Sequence, residues 1–383
     1  MRSLAWKDVH RHRAERSFLA EAAPRERLLD VVGAVCGIHA QVATAAELSI
    51  SARVPGVTRD DIRAALWTDR TLVKTSSLRG TLHIHPAHEL ALWMAARRVR
   101  PEWEDDRWLA GRGMRREQLG TILDAIADAL DGRALTFAEL GDEVVRRAGR
   151  WAGRSLPWVK FGHAAPVWTD FIGVAAHTGR LCYGPNRGRN VTFVRADQWV
   201  SGWNDLEPME ALTEVVRRYL RAYGPATTAD FVHWFYVPHD VAASAFVALA
   251  GELEEVDVAG YRAWMLASDA DDATRAALPP RLLPNYDCYV IGAAPVGTQR
   301  ERLIPAPAGR RVFDRGAGPH PVVLIGGVVA GLWERRDLGT RHMKIRVESL
   351  RRLNAAERRE LEREARRVGA LFGREAALTL VEP

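Results

Sequence analysis

Lysine is almost missing from this chain: Lys7, Lys74, Lys160 and Lys344 stand against 50 arginines. Imine-forming chemistry on an activated amine therefore has only four candidate residues. Cysteine is as scarce. Cys36, Cys182 and Cys288 are too few and too scattered for a disulfide framework. No C-x-x-C spacing offers a zinc or redox motif, so they read as core thiols. No apolar run approaches the roughly 18 residues of a membrane span. The stretch Met1 to Lys7 lacks the apolar core of a secretory signal, which leads us to expect a cytoplasmic location and no membrane partner.

What is present is a globular composition, 47% hydrophobic and 27% charged over 383 residues, long enough for several packed modules. The net charge of +6 is carried by arginine, whose planar fork suits phosphates and base edges. A polyanion partner fits that balance. A solvated arginine surface fits it as well, and charge alone does not separate the two.

A short pattern recurs three times: a threonine, two residues, an acid, then an apolar residue. The copies are Thr58-Arg59-Asp60-Asp61-Ile62, Thr136-Phe137-Ala138-Glu139-Leu140 and Thr227-Thr228-Ala229-Asp230-Phe231. At this spacing the threonine caps first-turn amides and the acid sits at the positive end of the helix. In the first copy, helices are expected over Arg25–Ile38 and Ala45–Val54 and from Thr58. Strands Thr71–Lys74 and Thr81–Ile84 follow. In the second copy, the expected helices are Met114–Leu130, Thr136–Ala148 and Ala164–Thr178, then strands Arg180–Tyr183 and Val191–Val194. The third has helices Met209–Tyr223, Thr227–Phe235 and Asp240–Leu249, then strands Leu253–Val258 and Tyr261–Leu266 turning at Gly260. Three helices and a β-ribbon are the layout of a winged helix, which serves DNA binding or protein interaction. The first two ribbons carry Lys74, Arg79, Arg187 and Arg189, where phosphates are in reach. The third carries Glu252, Glu254, Glu255 and Asp257 and is expected to pack on protein.

From Arg281 onward the pattern is β, with strands expected at Asp287–Ile291, Arg311–Phe313, Val322–Ile325, Val328–Trp333 and Met343–Val347. Gly326-Gly327 and Asp337-Leu338-Gly339 are hairpin turns, and Asn354 with Glu357 caps a helix to Phe372 before a last strand, Ala377–Val381. The expected architecture is α+β. Three tandem winged helices form a concave DNA-binding face at 1–90, 91–205 and 206–278, and a small antiparallel β-barrel with a C-terminal helix occupies 279–383.

Five short motifs in order carry a family resemblance: Ile38-His39-Ala40-Gln41-Val42, Leu78-Arg79-Gly80-Thr81-Leu82-His83, Tyr223-Gly224-Pro225-Ala226-Thr227, Leu282-Leu283-Pro284-Asn285-Tyr286-Asp287 and Val329-Ala330-Gly331-Leu332-Trp333. Together they resemble the AlkZ-like bacterial DNA glycosylases over nearly the whole chain. The resemblance implies tandem winged helices with a β-barrel, and excision of alkylated bases, bulky N7-guanine adducts and crosslinks among them. Some members resemble self-resistance proteins of producers of genotoxic natural products. The family's active site is Gln, one residue, then Gln or Asp. The matching positions are His39 and Gln41, with His replacing the commoner first Gln. Without the resemblance, His39 reads as the C-cap of the first helix and Gln41 as a polar loop residue.

The implied chemistry needs no strong nucleophile. N7-alkylation makes guanine a cationic leaving group, so Gln41 has to hold a water at the anomeric carbon while neutral His39 accepts its proton or shares in positioning it. No lysine lies near this motif in sequence, which leads us to expect a monofunctional hydrolase without cofactor or metal, acting as a monomer on double-stranded DNA with alkylated purines. The resemblance places His83 on the DNA-facing wing or in its packing. His83-Ile84-His85-Pro86-Ala87-His88 is a poor metal motif, because Pro86 breaks the strand and no carboxylate or thiolate accompanies it. In the β region Arg310, Arg311, Arg315, Arg335 and Arg336 are candidate minor-groove contacts or ordinary surface charge. Two readings from other classes remain open: a winged-helix DNA-binding regulator without catalysis, and an interaction scaffold with no salt-dependent affinity for DNA.

Overall fold

The computed structural model describes residues 1–160, 163–269, 278–293, 297–312 and 320–383, without the side chains of 157–160, 163, 307 and 310. The chain forms two compact units, one of residues 1–63 with 216–383 and one of residues 64–215, with the divisions inside the Arg59–Trp67 and Pro208–Tyr223 helices. Arg315 and Phe313 lie outside the described residues.

All three threonine caps form. The Asp61 amide donates to Thr58 Oγ1 at 3.1 Å while Asp61 accepts from the Thr58 amide at 2.9 Å, and Thr136/Glu139 and Thr227/Asp230 make the same reciprocal pair. Behind them the apolar faces build separate cores. In the 64–215 unit, Leu119, Ile122 and Ile126 of the Arg116–Ala129 helix pack with Leu140 and Val144 of the Phe137–Ala148 helix and with Trp168 and Phe171. Five strands of this unit share a sheet in the order Leu82–Pro86, Leu72–Ser76, Cys182–Arg187, Asn190–Val194, Leu135–Thr136. The helix expected over Ala164–Thr178 is shorter. His163–Pro166 is a strand paired with Ser155–Lys160, Val167–Phe171 is a 3-10 turn, and only Ile172–His177 is α-helical. Pro166 explains the delay, since proline disfavours helix both at its own interior position and at the residue before it.

In the other unit, the Thr228–Phe235 and His239–Ala248 helices surround an aromatic core of Tyr219, Tyr223, Phe231, Trp234 and Phe246. The ribbon Leu253–Val258/Tyr261–Leu266 has the expected bounds and takes Arg2–Leu4 as a third, parallel strand. Two of its acids pair within the unit, Glu254 with Arg2 and Glu252 with Arg217. The helix expected over Arg25–Ile38 is shorter than its periodicity suggested. It runs Leu28–Ala34 and stops where Cys36 (φ 61°) and Gly37 (φ 91°) turn left-handed, the Gly37 amide returning to the Val32 carbonyl at 2.9 Å. Ile38–His39 beyond it is a two-residue strand, so His39 is not a helix cap.

The C-terminal region contains a sheet that is not an antiparallel barrel. Strands Arg281–Leu283, Val322–Ile325, Val328–Leu338, His342–Ser349 and Glu375–Val381 form an open sheet in that order, and the last pair is parallel. The Ala355–Leu371 helix is the reason. It carries the chain back so that Glu375–Val381 enters in the same direction as His342–Ser349, and it buries Leu361, Ala365 and Val368 against Ile345 and Val347. A helix on the apolar face removes the need for closure. Two expected strands are helices. Asp287 caps Cys288–Ala293, accepting from the Tyr289 amide at 2.9 Å, and Arg311 and Val312 end the Ala306–Val312 helix. The apolar run Cys288–Ile291 is too short to show a period of its own, so the cap decided the first case.

Candidate active site

His39 and Gln41 flank Ala40 between the Ile38–His39 strand and the Ala43–Arg53 helix. The short strand buries His39, at 7% exposure, while Gln41 on the following bend is exposed. One face of the imidazole lies on the Tyr286 ring, centroids 4.6 Å apart and planes 14° from parallel. Tyr286 sits at φ 60°, a costly conformation for an aromatic residue, so its surroundings must hold it.

They do so through buried polar contacts between distant segments. The Arg53 guanidinium makes a bidentate pair with Asp287, Nη2 to Oδ1 at 2.8 Å and Nη1 to Oδ2 at 2.9 Å, with both side chains fully buried. Ser49 Oγ donates to the same carboxylate at 2.7 Å, so one helix supplies three of its hydrogen bonds. On the other side of Tyr286, the Trp333 indole N–H donates to the Leu283 carbonyl at 2.7 Å. The turn before His39 is tied too, since Tyr223 Oη donates to the Val35 carbonyl at 2.7 Å. Four of the five sequence motifs thus flank or supply one hydrogen-bonded framework around His39. Gly331 belongs to it by close approach: a Cβ there would stand 2.5 Å from the Glu348 carbonyl oxygen. Among the described residues, no three His, Cys, Asp or Glu side chains come together as a metal-binding group.

The family description "DNA glycosylase AlkZ-like" matches residues 32–371 of this chain. The chain belongs to the AlkZ-like DNA glycosylases. It is 33% identical over 341 residues, 87% of this chain and 88% of the relative, to an interstrand DNA cross-link repair glycosylase of Streptomyces sahachiroi. The solved structure of the DNA glycosylase AlkZ from that organism is similar at a TM-score of 0.83, with 30% identity and full coverage of both chains. A DNA glycosylase cleaves a base from its sugar, so DNA is the substrate of this AlkZ-like chain. No helix among the described residues is long and apolar enough to cross a membrane.

The cations expected to meet DNA are in different states in this AlkZ-like chain. Lys74 is half-buried with its ammonium over the Tyr183 ring, 5.5 Å from the centroid, and burial pushes it below the usual lysine range. Arg79 occupies a left-handed turn at φ 53°. His83 is buried at 3% exposure with Nδ1 3.1 Å from the Thr81 carbonyl oxygen, and His85 shares a 2.9 Å hydrogen bond with Ser77. Arg187 is engaged by Glu139 and the Ala134 carbonyl, both at 2.7 Å, whereas Arg189 beside it is exposed with no ion pair to a described residue. In the other unit, Arg311 pairs with Glu348 at 2.7 Å and Arg335 lies over the Phe372 ring at 3.9 Å, while Arg336 is exposed. The Arg310 side chain and Arg315 are outside the described residues.

Sequence reading placed Tyr286 within a motif but did not bring it to His39, nor Arg53 and Ser49 to Asp287. One signal was available. An aspartate directly before the apolar run Cys288-Tyr289-Val290-Ile291 must be capped or paired if that run is buried.

Proposed function

We propose that this AlkZ-like glycosylase is a monofunctional hydrolase of the N-glycosidic bond of alkylated purines, acting in DNA repair or in self-resistance to a genotoxic natural product. Its substrates are bulky N7-guanine adducts in double-stranded DNA, and interstrand crosslinks are included because the Streptomyces sahachiroi relative is a cross-link repair glycosylase. The observation carrying the reading is the pairing of a buried, ring-stacked His39 with an exposed Gln41 two residues on. Exposure lets Gln41 reach a water and the sugar, its amide both accepting and donating. His39 takes the proton of that water as it attacks the anomeric carbon, and the cationic guanine leaves without needing an acid. The enzyme works as a cytoplasmic monomer without cofactor or metal.

In this reading three tandem winged helices, residues 1–90, 91–205 and 206–278, precede a C-terminal module at 279–383. The three caps, each followed by a β-ribbon, support the repeat. Lys74, Arg79, His83, Arg187, Arg189, Arg310, Arg311, Arg315, Arg335 and Arg336 are its DNA-contacting set. The exposed Arg189 and Arg336 meet phosphates directly, and Lys74, Arg79, His83, Arg187, Arg311 and Arg335 exchange present partners for DNA or orient the wing.

The test is base release from duplexes carrying N7-methylguanine and a bulky N7 adduct in parallel, under single-turnover conditions. Gln41→Ala and His39→Ala are each expected to slow release by about a hundredfold or more, the scale of a lost positioning or general-base group. Strand cleavage without heat or base, or trapping by borohydride, would show an imine-forming lyase instead. Tight DNA binding with no release of either base would favour a non-catalytic regulator.

A further inference from the structure

We propose that Tyr286 is a positioning residue for His39: its ring face fixes the imidazole plane and favours the imidazolium that forms when His39 accepts the proton of the attacking water. The inference rests on reading His39 as part of the catalytic pair. Its own basis is the near-parallel stack, 4.6 Å between centroids and 14° between planes. A ring buried at 7% exposure has little water to solvate a charge gained during reaction, and a tyrosine face, with its negative quadrupole, supplies part of that solvation.

The way Tyr286 is held fits a positioning role. Its left-handed backbone is fixed on one side by Asp287, locked to Arg53 and Ser49, and on the other by the Leu283 carbonyl, bonded to Trp333. Arg53 ends the Ala43–Arg53 helix, and Gln41 lies two residues before that helix begins. One rigid rod therefore joins the bend bearing Gln41 to the loop bearing Tyr286. The Arg53–Asp287 pair sets the spacing of imidazole, phenol and Gln41 together. A displacement of any one is transmitted through the helix rather than absorbed by a loop.

The experiment compares full-length wild type, Tyr286→Phe, Tyr286→Leu and His39→Ala. It measures single-turnover base release from a duplex with one N7-methylguanine and, in parallel, the proton resonances of the His39 imidazole. The Phe variant keeps the ring face and is expected to stay within about twofold of wild type. Leu fills the space without a π-face. It is expected to lower the limiting rate constant roughly three- to tenfold, the worth of one ring-face contact, with the half-saturating enzyme concentration unchanged. Loss of ring current should also move the His39 resonances downfield in Leu and not in Phe.

A Leu variant with wild-type rate and wild-type His39 signals overturns the inference, as does a Phe variant as slow as Leu. Rate losses that merely follow losses in melting temperature also overturn it. His39→Ala separates this failure from failure of the underlying reading. An inactive His39→Ala beside a fully active Tyr286→Leu removes only the role of Tyr286. A His39→Ala enzyme as fast as wild type, or a wild type that releases no base, removes the catalytic reading and the inference with it.

Discussion

Arg53 and Asp287 are 234 positions apart and fully buried, and two charges placed this way are held only by each other and by their hydrogen bonds. Removing one leaves the other desolvated and unpaired. Asp287→Asn or Arg53→Met is therefore expected to destabilise the protein by about 3–5 kcal/mol, read from the shift of a denaturant midpoint at constant slope. The double variant should cost clearly less than the sum of the two, because the second substitution removes the orphan created by the first. Strict additivity would show that the residues do not act as a pair. Spacing pointed to His39 and Gln41 through the resemblance, but nothing local in the sequence pairs Arg53 with Asp287 or lays Tyr286 on His39. Such contacts depend on where the chain returns, which residue type alone does not encode.

The threonine-acid pattern was legible as helix starts because a capping box is closed by residues three apart and needs no tertiary partner. The three boxes are not equal in their surroundings. Asp61 is half-buried and accepts a hydrogen bond from Arg25, whereas Asp230 is buried at 3% exposure and also accepts from Tyr261. Thr58→Ala is expected to cost about 1 kcal/mol, and Thr227→Ala more, about 2 kcal/mol, since it also strips a bond from a buried carboxylate. Equal midpoint shifts in urea would contradict that ranking. Short segments without a capping box misled. Residues 288–291 and 311–312 lie in helices where strands were expected, and residues 164–166 lie in a strand where a helix was expected.

For the whole molecule, pH is a sensitive coordinate because a buried histidine lies in each unit. Burial, reinforced by the Arg13 charge, pushes His10 down to about 3, and burial with Arg97 nearby holds His177 well below the usual range. His177 has no hydrogen-bond partner for either ring nitrogen among the described residues. Both are neutral in the folded protein and take up protons on unfolding once the pH falls below about 6.5, so the unfolded state binds more protons there. Stability is thus complete above that pH and is lost as it falls, by up to about 1.4 kcal/mol per pH unit per histidine. Denaturation midpoints should fall between pH 7.5 and 5.5, and His177→Leu should flatten the decline. A midpoint constant across that range would refute the assignment.

The sequence by itself determined the arginine-rich charge, the three capped helix starts, the third ribbon and the ordered motifs that mark an AlkZ-like glycosylase. These are properties of composition or of residues within one turn of each other. Tertiary structure alone decided that the C-terminal strands form an open sheet, because one crossover helix returns the last strand in parallel. It also decided that the motif around His39 is framed by three others. The physical reason is the same for both: the partners of a buried strand edge, ring face or charge are chosen by topology, and they come from segments well beyond the reach of local patterning.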